Sequence, residues 1–271
     1  WNHWSFFILF SVIHFGCWWE YLGLTEKIYK TTFHIYTKLG FMLLGFGLML
    51  LFCGPAYRLF EYGLKQNFSL PVSGAGFLLL LAGIFQRNPV HLKAFLMALG
   101  GLVYISLTWG LMMDLRGLWM DEHDGILELD YGYIIPATII FSIWINDTMA
   151  YIVGSLVGKT PFSKISPKKT WEGTIGGILL SILVIGIIIP ALLVNGMAPD
   201  MNFPGSRTVW FIIPFLAAIA GTFGDLFESK LKRLAGVKDS GHFMPGHGGF
   251  LDRFDSLLFA VPFVWVYVQL L

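Results

Sequence analysis

The sequence predicts an all-α, polytopic integral membrane protein of about eight transmembrane helices, and three observations carry that prediction. Of its 271 residues, 56% are hydrophobic and 13% charged, with a mean hydropathy of +0.69; a soluble domain carries about 25% charged residues. Nearly uncharged runs recur, residues 133–145 and 175–197 among them, each close to the roughly 20 residues with which a helix crosses the hydrocarbon. None shows the strict alternation of a barrel strand, so helices are left as the way to satisfy the backbone in lipid.

Hydropathy read against charge places spans at residues 2–24, 39–60, 70–85, 92–113, 133–157, 173–195, 208–227 and 249–271. The first begins directly after Trp1, and an additional N-terminal helix is expected ahead of it. Glu20 ends its apolar run. The fifth encloses Trp144-Ile145-Asn146-Asp147, a carboxylate inside an otherwise apolar stretch. The sixth follows Thr170, a natural helix N-cap, and its Gly173 and Gly176-Gly177 allow close packing. The seventh runs into Asp225, and Asp252 and Asp255 open the eighth. The chain thus divides into N-terminal transmembrane helices (1–132) and a C-terminal region (133–271) that gathers the polar motifs.

Arg58, Lys65, Arg116 and Arg207 fall in one set of loops, and the rest of the 18 Lys and Arg in the other. By the positive-inside rule the richer set faces the cytoplasm, and with it both polar stretches of the C-terminal region. A bacterial inner membrane is the expected location. The net charge of +1 gives no basic patch for nucleic acid. Cys17 and Cys53 are too few and too far apart for a zinc site or disulfide framework, and read as small hydrophobes.

The chemistry concentrates between Gly224 and Asp255. On a helix Asp225 shares a face with Ser229 and Lys232. An ionisable group at the end of a span needs a partner or a task. Carboxylates entering from two helix ends, Asp225 and Asp252 with Asp255 and Asp147 in support, suit a hard divalent cation. A plainer alternative is that Asp225 and Asp252 pair with Lys232, Arg233 or Arg253. Between them lie Lys238-Asp239-Ser240-Gly241 and Pro245-Gly246-His247-Gly248-Gly249. A glycine-rich turn entering a helix presents amides to an anion, and with Lys232, Arg233, Lys238 and Arg253 around it the favoured ligand is a polyphosphate. A plain turn, and a structural role for His247, are the competing readings. Upstream, Lys168 and Lys169 sit beside the Thr170 cap and Glu172 and read as phosphate contacts, whereas Lys159 and Lys164 read as topology signals.

Ser229-Lys230-Leu231-Lys232-Arg233, then Lys238-Asp239-Ser240-Gly241, then Pro245 through Gly249 and on to Phe250-Leu251-Asp252-Arg253-Phe254-Asp255, resembles the signature of the phosphatidate cytidylyltransferases (CDP-diacylglycerol synthases) over 27 residues. Asn146-Asp147-Thr148 with Tyr151, and Ser166-Pro167-Lys168-Lys169-Thr170 with Glu172-Gly173, resemble two upstream motifs of that family in the same order. Met244 departs from the family's usual Leu, Ile or Phe. The first half agrees mainly in hydropathy, apart from Glu20 at the end of the first run.

The resemblance implies transfer of CMP from CTP to phosphatidate in phospholipid biosynthesis, giving CDP-diacylglycerol and pyrophosphate, in a Mg²⁺-dependent membrane enzyme with a possible second cation, monovalent or divalent, and a homodimeric assembly. The expected catalytic residues are Asp225, Asp252, Lys238, Asp239 and His247. Metal ligands are expected from Asp225, Asp252, Asp147 and Asp255. Substrate contacts are expected from Lys168, Lys169, Ser229, Lys232, Arg233, Gly248, Gly249 and Arg253, with membrane lipids around. The rivals are a CTP-dependent lipid kinase, a CDP-archaeol synthase, or an ion transporter with Asp147 and Asp225 at its site; clustering of the polar residues at one face weighs against the last.

Overall fold

An apolar chain in lipid must pair its amides with its own carbonyls, and the helices follow the predicted runs. A computed structural model describes residues 2–86, 91–118, 120–123, 126–163, 165–166, 168–192, 208–241, 243 and 248–271. They form two units: 1–132 with 230–254, and 133–229 with 255–271.

The first unit contains α1 (His3–Tyr29), α2 (Ile35–Leu50), α3 (Ser69–Ile84), α4 (Leu92–Gly101) and α5 (Thr108–Gly117). The Asn2 side chain caps α1 by accepting from Trp4 N–H. The second predicted run reaches residue 60, but α2 stops at Leu50. Pro55 lacks an N–H and restricts its own backbone and that of Gly54, and the chain turns instead into an antiparallel hairpin, β1 (Arg58–Leu59) with β2 (Tyr62–Gly63). A wide π turn, Leu64–Phe68, leads into α3, and a second, Leu102–Leu107, joins α4 to α5. Such turns interrupt a helix without ending it. The second one carries Ser106, whose Oγ accepts from Trp18 Nε1 at 2.8 Å and lies 3.0 Å from His14 Nε2. Trp18, Phe41, Trp109 and Met112 are wholly enclosed in this unit. In lipid such packing stabilises mainly through dispersion contacts and buried hydrogen bonds, because the tails outside are as apolar as the core. Past α5 a second hairpin, β3 (Met120–His123) with β4 (Ile126–Asp130), returns the chain. Asp130 clasps buried Arg116 through two 2.5 Å bonds.

The second unit contains α6 (Ile134–Val157), α7 (Trp171–Leu192), most of α8 (Val209–Leu234) and most of α9 (Leu251–Gln269). α6 and α7 meet backbone to backbone along small residues. A Cβ on Gly173 would stand 2.6 Å from Ala150 O, and one on Gly177 2.6 Å from Asn146 O. Ser181 Oγ seals the seam by donating to Ser142 O at 2.8 Å. α8 passes α9 as closely, Gly224 lying against Asp255 O.

Among the described residues, six helical stretches are long and apolar enough to cross a membrane: α1, Leu64–Ile84, Leu92–Gly117, α6, α7 and α8. α2, with 16 residues, is short. α9, with 19, opens on Asp252, Arg253 and Asp255. Each predicted run contains a helix, and the chain is an all-α, multi-pass membrane protein.

Candidate active site

The polar residues that the sequence singles out fall into two groups, one in each unit. In the second unit the loop between α6 and α7 folds on itself as a narrow hairpin. Pro161 bridges Thr170, Phe162 N donates to Lys169 O at 2.7 Å, and Trp171 N donates to Thr160 O at 3.0 Å. Thr170 caps α7 by accepting from Gly173 N–H. Glu172 ties the far arm, accepting from Lys159 N, Thr160 N and Thr160 Oγ1. The hairpin delivers Lys169 to Asp225 of α8, and the two form an ion pair. Asp225 also interacts electrostatically with Asp147 of α6 and is within hydrogen-bonding reach of Asp255 of α9. Asp255 is buried, with Oδ1 accepting from Ser256 N at 2.6 Å; Asn146 Nδ2 donates to Asp147 at 3.4 Å. Lys169 thus offsets Asp225 and Asp147, whereas Asp255 meets the like charges of both. Ionised, the three acids exceed Lys169 by two charges, an imbalance that a cation or a shared proton must offset.

In the first unit the centre is Asp252. Its Oδ1 holds Lys232 Nζ at 2.6 Å, and its Oδ2 accepts from Ser240 N and Gly249 N at 2.9 and 2.8 Å, with Ser240 Oγ 2.9 Å away and its one proton closer to a second acceptor. At least three of the roughly four bonds a carboxylate can accept are in use, so Asp252 is a hydrogen-bond hub at the start of α9. Beside it, a second carboxylate comes from α1. Glu20 accepts from Ser240 Oγ at 2.7 Å and from Phe250 N and Leu251 N at 2.9 Å each.

Compared with known proteins, the sequence pattern of the cytidylyltransferase family matches residues 1–271. The chain belongs to the cytidylyltransferase family. Phosphatidate cytidylyltransferases of three bacteria are similar to it. That of Synechocystis sp. is 39% identical over 162 residues, covering 60% of this chain and 52% of the relative. That of Thermotoga maritima is 43% identical over 145 residues, covering 52% of each. That of Haemophilus influenzae is 38% identical over 217 residues, covering 77% and 70%. The chain therefore spans about half the length of the first two relatives.

In this cytidylyltransferase-family chain the expected site residues separate by environment. The structure brings Asp147, Asp225 and Asp255 together with Lys169, and Asp252 together with Lys232, Ser240 and Gly249. Lys168, Arg233, Lys238, Asp239 and Arg253 are exposed, Ser229 is half-buried, and Gly248 adopts a positive φ of 82°. His247 lies outside the described residues. The plainer alternative for Asp252, a pairing with Lys232, is present; the partner of Asp225 is Lys169, which was not among those the sequence suggested. Gly249 gives its amide to Asp252 rather than leaving it open to an anion. Sequence reasoning marked Glu20 as the end of the first apolar run and as a point of agreement with the family, but missed the work it does.

The donors suit a hard cation. Among the described residues no three His, Cys, Asp or Glu side chains are placed to hold a metal ion together. Mg²⁺ needs no such cage: one or two carboxylates suffice when phosphate and water oxygens complete its shell. Asp225 with Asp255, and Asp147 alongside, offers that minimal set.

Proposed function

We propose that this chain carries out phosphatidate cytidylyltransfer. A phosphatidate oxygen attacks the α-phosphorus of CTP, the bond from that phosphorus to the β-bridging oxygen breaks, and CDP-diacylglycerol and pyrophosphate form. The supporting observation is the group of carboxylates Asp147, Asp225 and Asp255, with Lys169 paired to Asp225, in a chain of the cytidylyltransferase family. Both reactants are anions, so repulsion and in-line alignment are the obstacles, and electrostatics with positioning is the remedy.

Mg²⁺, held by Asp225 with Asp255 and Asp147, would supply charge neutralisation at the phosphates; a second cation, monovalent or divalent, for which Asp252 is the candidate ligand, fits the same chemistry. The protein's own part is cationic. Lys169, which pairs with Asp225 here, would serve the phosphatidate headgroup beside Lys168. Lys232, paired with Asp252, would serve the triphosphate with Arg233, Lys238 and Arg253. Ser229, Asp239, His247, Gly248 and Gly249 shape the nucleotide's surroundings. The site faces the cytoplasm in a bacterial inner membrane, where CTP is at hand, and the enzyme acts as a homodimer.

The test is purified protein with labelled CTP and phosphatidate. Label enters the lipid phase with Mg²⁺ and stays in the aqueous phase with chelator. Failure of monodisperse protein to label the lipid with all three present sinks the activity. Undiminished turnover in Asp225→Asn sinks the metal assignment alone.

A further inference from the structure

We infer that Glu20, on α1, is a positioning residue for the proposed cytidylyl transfer: it fixes the start of α9, and with it the direction in which Asp252 points. The inference rests on that functional reading and adds to it a residue outside the signature.

Glu20 is only 7% exposed, an expensive place for a carboxylate unless its oxygens are used. They are. Oε1 takes the Phe250 amide, and Oε2 takes both the Leu251 amide and the Ser240 hydroxyl. Phe250 and Leu251 stand at the first turn of α9, where N–H groups have no partner within the helix. A helix start is normally capped by a residue a few positions away; here the cap comes from another helix, 230 positions earlier. Ser240 ties this cap to Asp252, because its Oγ lies 2.7 Å from Glu20 Oε2 and 2.9 Å from Asp252 Oδ2.

Two signature glycines are shaped around the same carboxylate. A Cβ on Gly241 would lie 2.2 Å from Glu20 Oε1, and one on Gly249 2.2 Å from Oε2. Neither position has room for a side chain while Glu20 is in place. The Gly249 amide serves Asp252 and the next two serve Glu20. The described stretch from Gly249 to Leu251 is therefore held by two carboxylates, and its position depends on Glu20. Glutamine cannot replace it: the amide keeps one acceptor oxygen and turns an NH₂ towards donors that need acceptors.

Glu20→Gln and Glu20→Asp in the full chain test this, with kinetics scaled to the folded, monodisperse fraction. For Glu20→Gln, kcat falls on the order of 100-fold, as for a reactive group displaced by about 1 Å, while KM for phosphatidate stays within about threefold. Glu20→Asp, which keeps both acceptor oxygens, recovers part of the loss. A lower folded yield with kcat per folded molecule unchanged overturns the inference and leaves Glu20 a stability residue. Should Glu20→Gln fail to fold, amide exchange on the unaltered protein decides. Slow exchange at Phe250 and Leu251 supports the cap, and exchange as fast as in an open loop overturns it. An unaltered protein that transfers no CMP overturns the functional reading instead, and that result is separate from the outcome at Glu20.

Discussion

Replacing Lys169 by methionine keeps the length of the side chain and removes the ammonium that Asp225 holds. The two side chains are 32% and 26% exposed, so the pair lies between two measured limits. Exposed pairs contribute about 0–1 kcal/mol; breaking a fully buried one costs about 3–5 kcal/mol. A value of about 2 kcal/mol follows, equivalent to roughly 30-fold in a binding constant. In the proposed site the ammonium and a divalent cation would compete for the same carboxylate, so removing the first would strengthen binding of the second. Lys169→Met is therefore expected to bind Mg²⁺ roughly 30-fold more tightly in the substrate-free state, while its turnover falls because the headgroup loses a cation. Calorimetric titration of Mg²⁺ into both proteins in the same detergent measures the difference. Unchanged or weaker binding in the variant would show that Lys169 and the metal ion do not share a position.

Gly177→Val places a side chain where 2.6 Å separates an added Cβ from Asn146 O; it is expected to cost about 1–3 kcal/mol and to appear as a loss of monodisperse protein on size-exclusion chromatography, with normal recovery counting against the close seam. Glu172→Ala cuts the hairpin's tie to Lys159 and Thr160, and is expected to lower turnover about tenfold by letting Lys169 wander; full activity in the labelling assay would mean that the hairpin holds without it. Arg116→Lys cannot reproduce the two-point clasp of Asp130. The loss is expected at about 2–4 kcal/mol, seen as a lower melting midpoint with kcat at low temperature untouched; a kcat defect would point to a role beyond structure.

How far the sequence carries depends on the range of the interaction. Helix existence is local, a matter of apolar length and charge at the ends, and every predicted run contains a helix. The end of α2 was legible too, in Gly54-Pro55, although hydropathy alone carries the run past it. Thr170 as a cap and the glycines of α7 as a packing seam are local patterns, and the structure shows both. The acids Asp147, Asp225 and Asp255 could be named singly, since each interrupts or borders an apolar stretch. Their grouping with Lys169 could not be read, because it depends on how the loop between α6 and α7, residues 158–170, folds back. Glu20 is the extreme case. One acidic residue in a long apolar helix carries no spacing signal, and its three partners lie more than 200 positions away. The π turn that sets Ser106 beside His14 and Trp18 has no sequence signature of comparable strength to a proline or a cap.

The span between Glu20 and its partners also sets an order of events during synthesis. Ser240 is added 220 residues after Glu20, and a ribosome adds about 5–20 residues each second. For ten seconds or more the carboxylate in the first helix waits, without the three donors it will later hold, while the intervening helices enter the bilayer. The start of α9 therefore completes α1, and the turn that carries Asp252 takes its fixed shape only after both have been made.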